Sequence, residues 1–131
     1  MNTVRMVVIH MRDCLFAAAI AHSLQADKRG NFTVQQVAAP EEVIRCCRQC
    51  GPYAVLMEVS GNAPYTLEER LKIRDEVKES HPQSKVVLIV DENSEKTAAR
   101  QVREAKRSGR IDQFIYGSIS ASYLVALMDT L

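Results

Sequence analysis

The sequence predicts an α/β domain: a parallel five-stranded sheet with helices packed on both faces. Three observations carry that prediction. Short, nearly all-apolar runs at residues 4–10, 53–59 and 85–90 have the length and continuity of strands buried on both sides. Between them lie stretches whose apolar residues recur three and four apart, the spacing of a helix with one buried face. The two patterns alternate along the whole chain, so each strand must return through a helix, and right-handed crossovers then give a doubly wound sheet. A chain of 131 residues, 47% hydrophobic and 25% charged, suits one domain with one substantial core. Residues 1–131 are read as that domain, with no linker, repeat or output domain.

Each element has its own signal. Residues 4–10 form the first strand, and Asp13 is placed to cap a helix running through Phe16, Ile20 and Leu24 to about Ala26. Residues 28–31 make a turn. Residues 32–37 form a weaker, more polar strand, as suits a place near the sheet edge. Pro40 opens the second helix, Glu41 and Glu42 favour its positive end, and Gly51 stops it. Residues 53–59 are the third strand. A polar loop at 60–64 leads to Thr66-Leu67-Glu68-Glu69, a capping-box signature for the third helix. Residues 85–90 are the fourth strand, followed by Asp91-Glu92-Asn93-Ser94 and a helix through Ala98, Val102 and Ala105 that stops near Gly109. Residues 112–116 are the fifth strand, and Ser120 starts a closing helix containing Leu124 and Leu127.

Charge and cysteine content narrow the function classes. With 17 basic and 16 acidic residues the net charge is +1, which implies no bulk electrostatic partner. No apolar run reaches the length that spans a bilayer, and the N-terminal residues lack the pattern of a secretory leader, so a cytoplasmic protein is expected. The four cysteines then read as reduced thiols. Cys46, Cys47 and Cys50 contain a C-x-x-C, but no second ligand pair stands at metal spacing, and the cluster falls in a helix pattern. They are read as structural, with Cys47 facing the core. No cofactor is implied.

Glu58 is the residue that invites a functional reading. It is a lone carboxylate near the end of a buried strand, where parallel α/β sheets place their chemistry. Around it the segment Pro52-Tyr53-Ala54-Val55-Leu56-Met57-Glu58 resembles the Pro-Asp-Leu-Val-Leu-Leu-Asp segment of bacterial response-regulator receiver domains (CheY-like), whose final Asp accepts a phosphoryl group. Val86-Val87-Leu88-Ile89-Val90 resembles the receiver's fourth strand, and Phe114-Ile115-Tyr116-Gly117-Ser118-Ile119-Ser120 is similar to Phe-Leu-x-Lys-Pro-Ile-Ser. The resemblance runs over essentially the full length and implies a flavodoxin-like (βα)5 fold.

It also implies a site, and here the chain departs from the pattern. Receivers hold a divalent cation with an acidic pair after the first strand, and contact the phosphoryl group with a hydroxyl and a Lys. The acidic-pair positions fall on Met11 and Arg12, or on His10 and Met11, within His10-Met11-Arg12-Asp13. Glu58 stands at the acceptor position, Asp91 at the hydroxyl and Gly117 at the Lys. Such a site is expected not to undergo ordinary Asp phosphorylation: the cations that would neutralise developing charge are missing together. Glu58 then either mimics the phosphorylated state or is an inert strand-end acid. Arg12 is the expected counter-charge, since guanidinium pairs with carboxylate in bidentate fashion.

Function would then fall to surfaces. Lys96, Arg100, Arg103 and Arg107 recur at four, three and four residues and share one face of the fourth helix. By the resemblance, this face with the fifth strand and last helix, including Tyr116, Ile119 and Tyr123, is a protein-binding or homodimer surface. A solvated helix face is the alternative. Nucleic acid ranks behind, because the stripe is short and few aromatics interleave with it. The expected function is therefore a stand-alone, non-enzymatic, receiver-like signalling domain acting by protein–protein contact. The rival is a small divalent-metal protein or enzyme using Asp13, Glu58 and Asp91 with His10, though no nucleophile–base pair or phosphate loop supports catalysis.

Overall fold

The computed structural model describes residues 3–131; Met1 and Asn2, part of the stretch read above for a leader, lie outside the described residues. The described residues alternate strictly: β1 (Arg5–His10), α1 (Cys14–Ala26), β2 (Phe32–Gln36), α2 (Pro40–Cys50), β3 (Ala54–Val59), α3 (Leu67–Ser80), β4 (Lys85–Val90), α4 (Lys96–Arg107), β5 (Gln113–Tyr116) and α5 (Ala121–Asp129). All strand pairs are parallel, in the order β2-β1-β3-β4-β5. This is the predicted (βα)5 flavodoxin-like sheet. As expected, β2 lies at an edge.

Strand alternation divides the interior in two. Val8, Val55, Met57, Val59, Val86, Leu88 and Val90 face α2, α3 and α4, where they meet Val43, Cys47, Leu71, Val77 and Val102. Val7, Ile9, Leu56, Val87, Ile89 and Ile115 face α1 and α5, against Ile20, Leu24, Leu124 and Met128. Cys47 is 1% exposed and belongs to the first core, as its helical position predicts.

The caps fall where the sequence puts them. Asp13 accepts the Phe16 N–H at 3.0 Å, Thr66 the Glu69 N–H and Ser120 the Tyr123 N–H. In the capping-box segment the hydroxyl of Thr66 also donates to Glu69 Oε1 at 2.8 Å. Gly51 ends α2 with φ +54°, and the His81 ring lies so near that a Cβ there would stand 2.6 Å from Cε1. Only glycine meets both demands.

One predicted boundary shifts for a visible reason. Asp112, read as the first residue of the fifth strand, stands just before β5. Its carboxylate accepts the Val86 N–H at 2.7 Å and pairs with Lys78 at 2.9 Å, so it pins the strand's entry.

Candidate functional site

The strand order reverses between β1 and β3, and ligand crevices of open α/β sheets lie at the C-terminal side of such a reversal. His10 ends β1 there and Glu58 stands one residue from the end of β3. A cleft of about 240 Å³ opens at this edge, lined by Met11, Asp13, Phe16, Glu58, Asp91, Glu92, Gly117 and Ser118 among others.

Glu58 shares the α1 side of the sheet with Leu56 and reaches the β1–α1 loop. Its Oε1 accepts the backbone N–H groups of Arg12, at 2.7 Å, and Asp13, at 3.1 Å. This corrects the expected pairing with the Arg12 side chain. Among the described residues no ion pair joins Arg12 to Glu58, and Arg12 is exposed. The reason is reach. The longer Glu side chain meets amides that the loop already points at it, while the guanidinium keeps its hydration.

The other residues of the cleft are equally specific. Met11 is 6% exposed and packs into the α1–α5 core, so an apolar side chain borders the cleft from that side. Asp91 turns back on its own loop, accepting the N–H groups of Asn93 at 2.9 Å and Ser94 at 3.3 Å. The Asn93 amide, followed by the Ser94 hydroxyl and amide, holds its carboxyl below the usual range. Gly117 extends the ladder by donating to the Val90 carbonyl at 2.9 Å and leaves its side of the cleft without a side chain. Ser118 donates to Glu92 Oε2 at 2.8 Å, tying the β5–α5 loop to the β4–α4 loop. Sequence reasoning gave Glu92 and Ser118 no role there.

His10 does not join the cleft. Side chains alternate along a strand, so His10 shares the α2–α3 face with Val8 while Met11 turns to the opposite one. Nor is the rival ligand set assembled: among the described residues no three of His, Cys, Asp and Glu are grouped to hold a metal ion.

What His10 meets instead is Arg70, the residue that sequence reasoning missed. Arg70 is 0% exposed. Its Nε donates to the Glu58 carbonyl at 2.8 Å, Nη2 to the His10 carbonyl at 3.3 Å, and Nη1 lies 2.8 Å from His10 Nδ1. Tyr65 stacks on the His10 ring at 5.5 Å between centroids and receives the guanidinium at 5.1 Å. Because Arg only donates, Nδ1 must accept, so His10 is neutral with its proton on Nε2. Burial, then the Arg70 charge, pushes the imidazole pKa down, against the opposing Ala38 backbone hydrogen bond and the Glu42 and Glu41 charges. Burial lowers the Arg70 pKa to about 10, which leaves it charged at neutral pH. The sequence did carry a signal: Arg70 falls with Ile73 and Val77 on the apolar face of α3.

The predicted stripe on α4 is exposed: Lys96, Arg100, Arg103 and Arg107 point to solvent while Ala98, Ala99, Val102 and Ala105 bury the other face of the helix. Arg103 Nη1 donates to the Tyr116 hydroxyl at 3.0 Å. Arg107 bonds Glu104 at 3.2 Å. Phe114, Tyr116, Ile119 and Tyr123 line a shallow groove beside edge strand β5, with Tyr123 58% exposed.

With this geometry in hand, solved structures define the class of fold. No family model matches the sequence, and no curated protein matches it. By structure, the chain is similar to the CheY-like receiver domain protein of Methanospirillum hungatei (TM-score 0.75, 12% identity, 98% of this chain and 93% of that one). The signal receiver domain of the putative response regulator NarL from Mycobacterium tuberculosis aligns with TM-score 0.71 and 15% identity over 98% of this chain and 97% of that one. NtrX from Brucella abortus, in complex with ADP, aligns with TM-score 0.71 and 16% identity; 98% of this chain is covered but only 26% of NtrX. The chain has the fold of response-regulator receiver domains. No helix among the described residues is long and apolar enough to cross a membrane.

Proposed function

We propose that this chain is a receiver-fold signalling domain that works through protein–protein contact and takes no phosphoryl group at Glu58. One observation carries the reading: the Glu58 carboxylate is already engaged by the Arg12 and Asp13 amides. A carboxylate in that position holds the β1–α1 loop with fixed charge and needs no kinase to do so. Around it stand Met11 and Gly117 where a receiver needs a carboxylate and a Lys, so neither the cation nor the charge clamp of phosphoryl transfer has its ligands. The Asp91 carboxylate adds repulsion against an incoming anion.

The partner surface we assign is the α4–β5–α5 face. It joins a cationic rim of Lys96, Arg100, Arg103 and Arg107 to an aromatic centre of Phe114, Tyr116 and Tyr123, the anatomy of a protein interface. A partner with an acidic rim, or a second copy in register, fits it. Intact mass after treatment with acetyl phosphate and Mg²⁺ tests the first half of the proposal. The expected result is an unchanged mass, and a gain of one phosphoryl group on an acid of the cleft would overturn it.

A further inference from the structure

The densest group of soft donor atoms in the fold lies far from the Glu58 cleft, at the N-terminal end of the sheet. Met6, near the start of β1, shares with Val8 the side of the sheet that α2 covers. The last turn of α2 carries two thiols, of which that of Cys50 reaches Met6. Cys50 Sγ lies 3.3 Å from Met6 Sδ and donates to the Cys46 carbonyl at 2.9 Å. Cys46 and Cys50 are one helical turn apart on one face. Met6 and Cys46 are partly buried against the core, whereas Cys50 is exposed. Cys47, between them, turns inward and packs in the core.

The geometry points to a binding site for a soft monovalent metal cation, Cu(I), formed by the thiolates of Cys46 and Cys50 and the thioether of Met6. Thiolate and thioether donors select Cu(I), which accepts a low coordination number and no nitrogen or oxygen ligand. Zinc requires a tetrahedral set, and among the described residues no three His, Cys, Asp or Glu are grouped to supply one.

A disulfide is the competing use of the two thiols, and helix geometry decides against it. Residues a turn apart hold their Cβ atoms about 5–6 Å apart, whereas a disulfide spans about 3.5–4.5 Å. Closing the bond would unwind the last turn of α2. A cation adds two metal–sulfur bonds between the sulfurs and bridges the pair as it stands. Uptake of Cu(I) replaces one proton on each thiol, so binding releases two protons and leaves the metal's oxidation state unchanged. Exposure of Cys50 gives a competing thiol direct access, so the site suits exchange of the metal rather than permanent storage.

The test is competition for Cu(I) held as its coloured bicinchoninate complex, with the reduced full chain under anaerobic conditions. The wild type is expected to withdraw one equivalent. Cys46→Ser and Cys50→Ser are each expected to lose this withdrawal, Met6→Leu to leave more copper with the competitor, and Cys47→Ala to behave as wild type. In parallel, the ε-methyl NMR signal of Met6 in the wild type should shift with the first equivalent, a readout that needs no variant to fold. Withdrawal by Cys50→Ser equal to wild type, loss confined to Cys47→Ala, or an unmoved Met6 methyl would each overturn the site.

Discussion

Arg70 donates its Nε–H to the backbone carbonyl of Glu58 across 2.8 Å, from a position with no solvent exposure. The same guanidinium takes the His10 carbonyl and ring, so one side chain of α3 ties together the C-terminal ends of β1 and β3 beneath the cleft. Above it, the Glu58 carboxylate takes the amides of the β1–α1 loop. Glu58 is thus clamped twice, by its main chain from one side of the sheet and by its side chain from the other.

The clamp from α3 sets the first prediction. Arg70→Met keeps much of the buried volume but strands two carbonyls and a ring nitrogen, and should cost about 3 kcal/mol of stability. Urea unfolding of the two proteins gives the difference directly. Arg70→Lys, which cannot serve three acceptors in a planar fork, should recover only part.

Acid should weaken the fold through His10. Its pKa is lower in the fold than in the unfolded chain, so the unfolded state binds the proton first as pH falls. The contribution is complete above the unfolded value, near 6.5, and is lost progressively as pH drops below it toward the depressed folded value. Melting temperature measured from pH 7.5 to 5 should fall, and His10→Gln should flatten that fall. A wild-type profile with the same slope as His10→Gln would refute the assignment.

At Glu58, acceptor capacity matters more than charge. Glu58→Gln keeps an oxygen for the Arg12 and Asp13 amides and should stay within about 1 kcal/mol of wild type. Glu58→Ala hands both exposed amides to water and should cost about 1 kcal/mol. Arg12→Ala removes an exposed guanidinium and should change stability by less than about 0.5 kcal/mol. Hydrogen exchange at the Arg12 and Asp13 amides checks the first two: fast in Glu58→Ala, protected in Glu58→Gln.

Reversing charge on α4 should separate folding from association. Arg100→Glu with Arg103→Glu lies on the exposed helix face, so the fold should remain, with a shift of about 0.5 kcal/mol or less per site. Self-association measured by light scattering, and capture of an acidic partner, should both diminish. Association unchanged by the double reversal would remove this face from consideration.

The fold was legible because its signals are local. Runs such as Lys85–Val90 are too apolar for anything but a buried strand, and Asp13, Thr66, Ser120 and Gly51 punctuate the helices by their own chemistry. The site was legible only where one residue type carries the information. Glu58, Asp91, Met11 and Gly117 line one cleft. The partners of Glu58 were not, because backbone amides leave no mark in a sequence, and a charged neighbour such as Arg12 is the more visible choice. His10 was placed with Met11 although strand alternation sends adjacent side chains to opposite faces. Arg70 was passed over as one more charge in Glu68-Glu69-Arg70, when its spacing with Ile73 and Val77 put it inside.

The reach of Glu58 also bears on how such a domain can change. An Asp in its place is one methylene short of the amides that Glu58 now serves, so Glu58→Asp frees the loop before it gains any acceptor chemistry. A second carboxylate at Met11 would plant charge in the packed core, and a cation would have to be added at Gly117 as well. Gly117 alone has room for a side chain, since an added Cβ would meet only ordinary contacts. The other two changes each give up packing or hydrogen bonds already made, so ordinary contacts act as a latch against stepwise substitution.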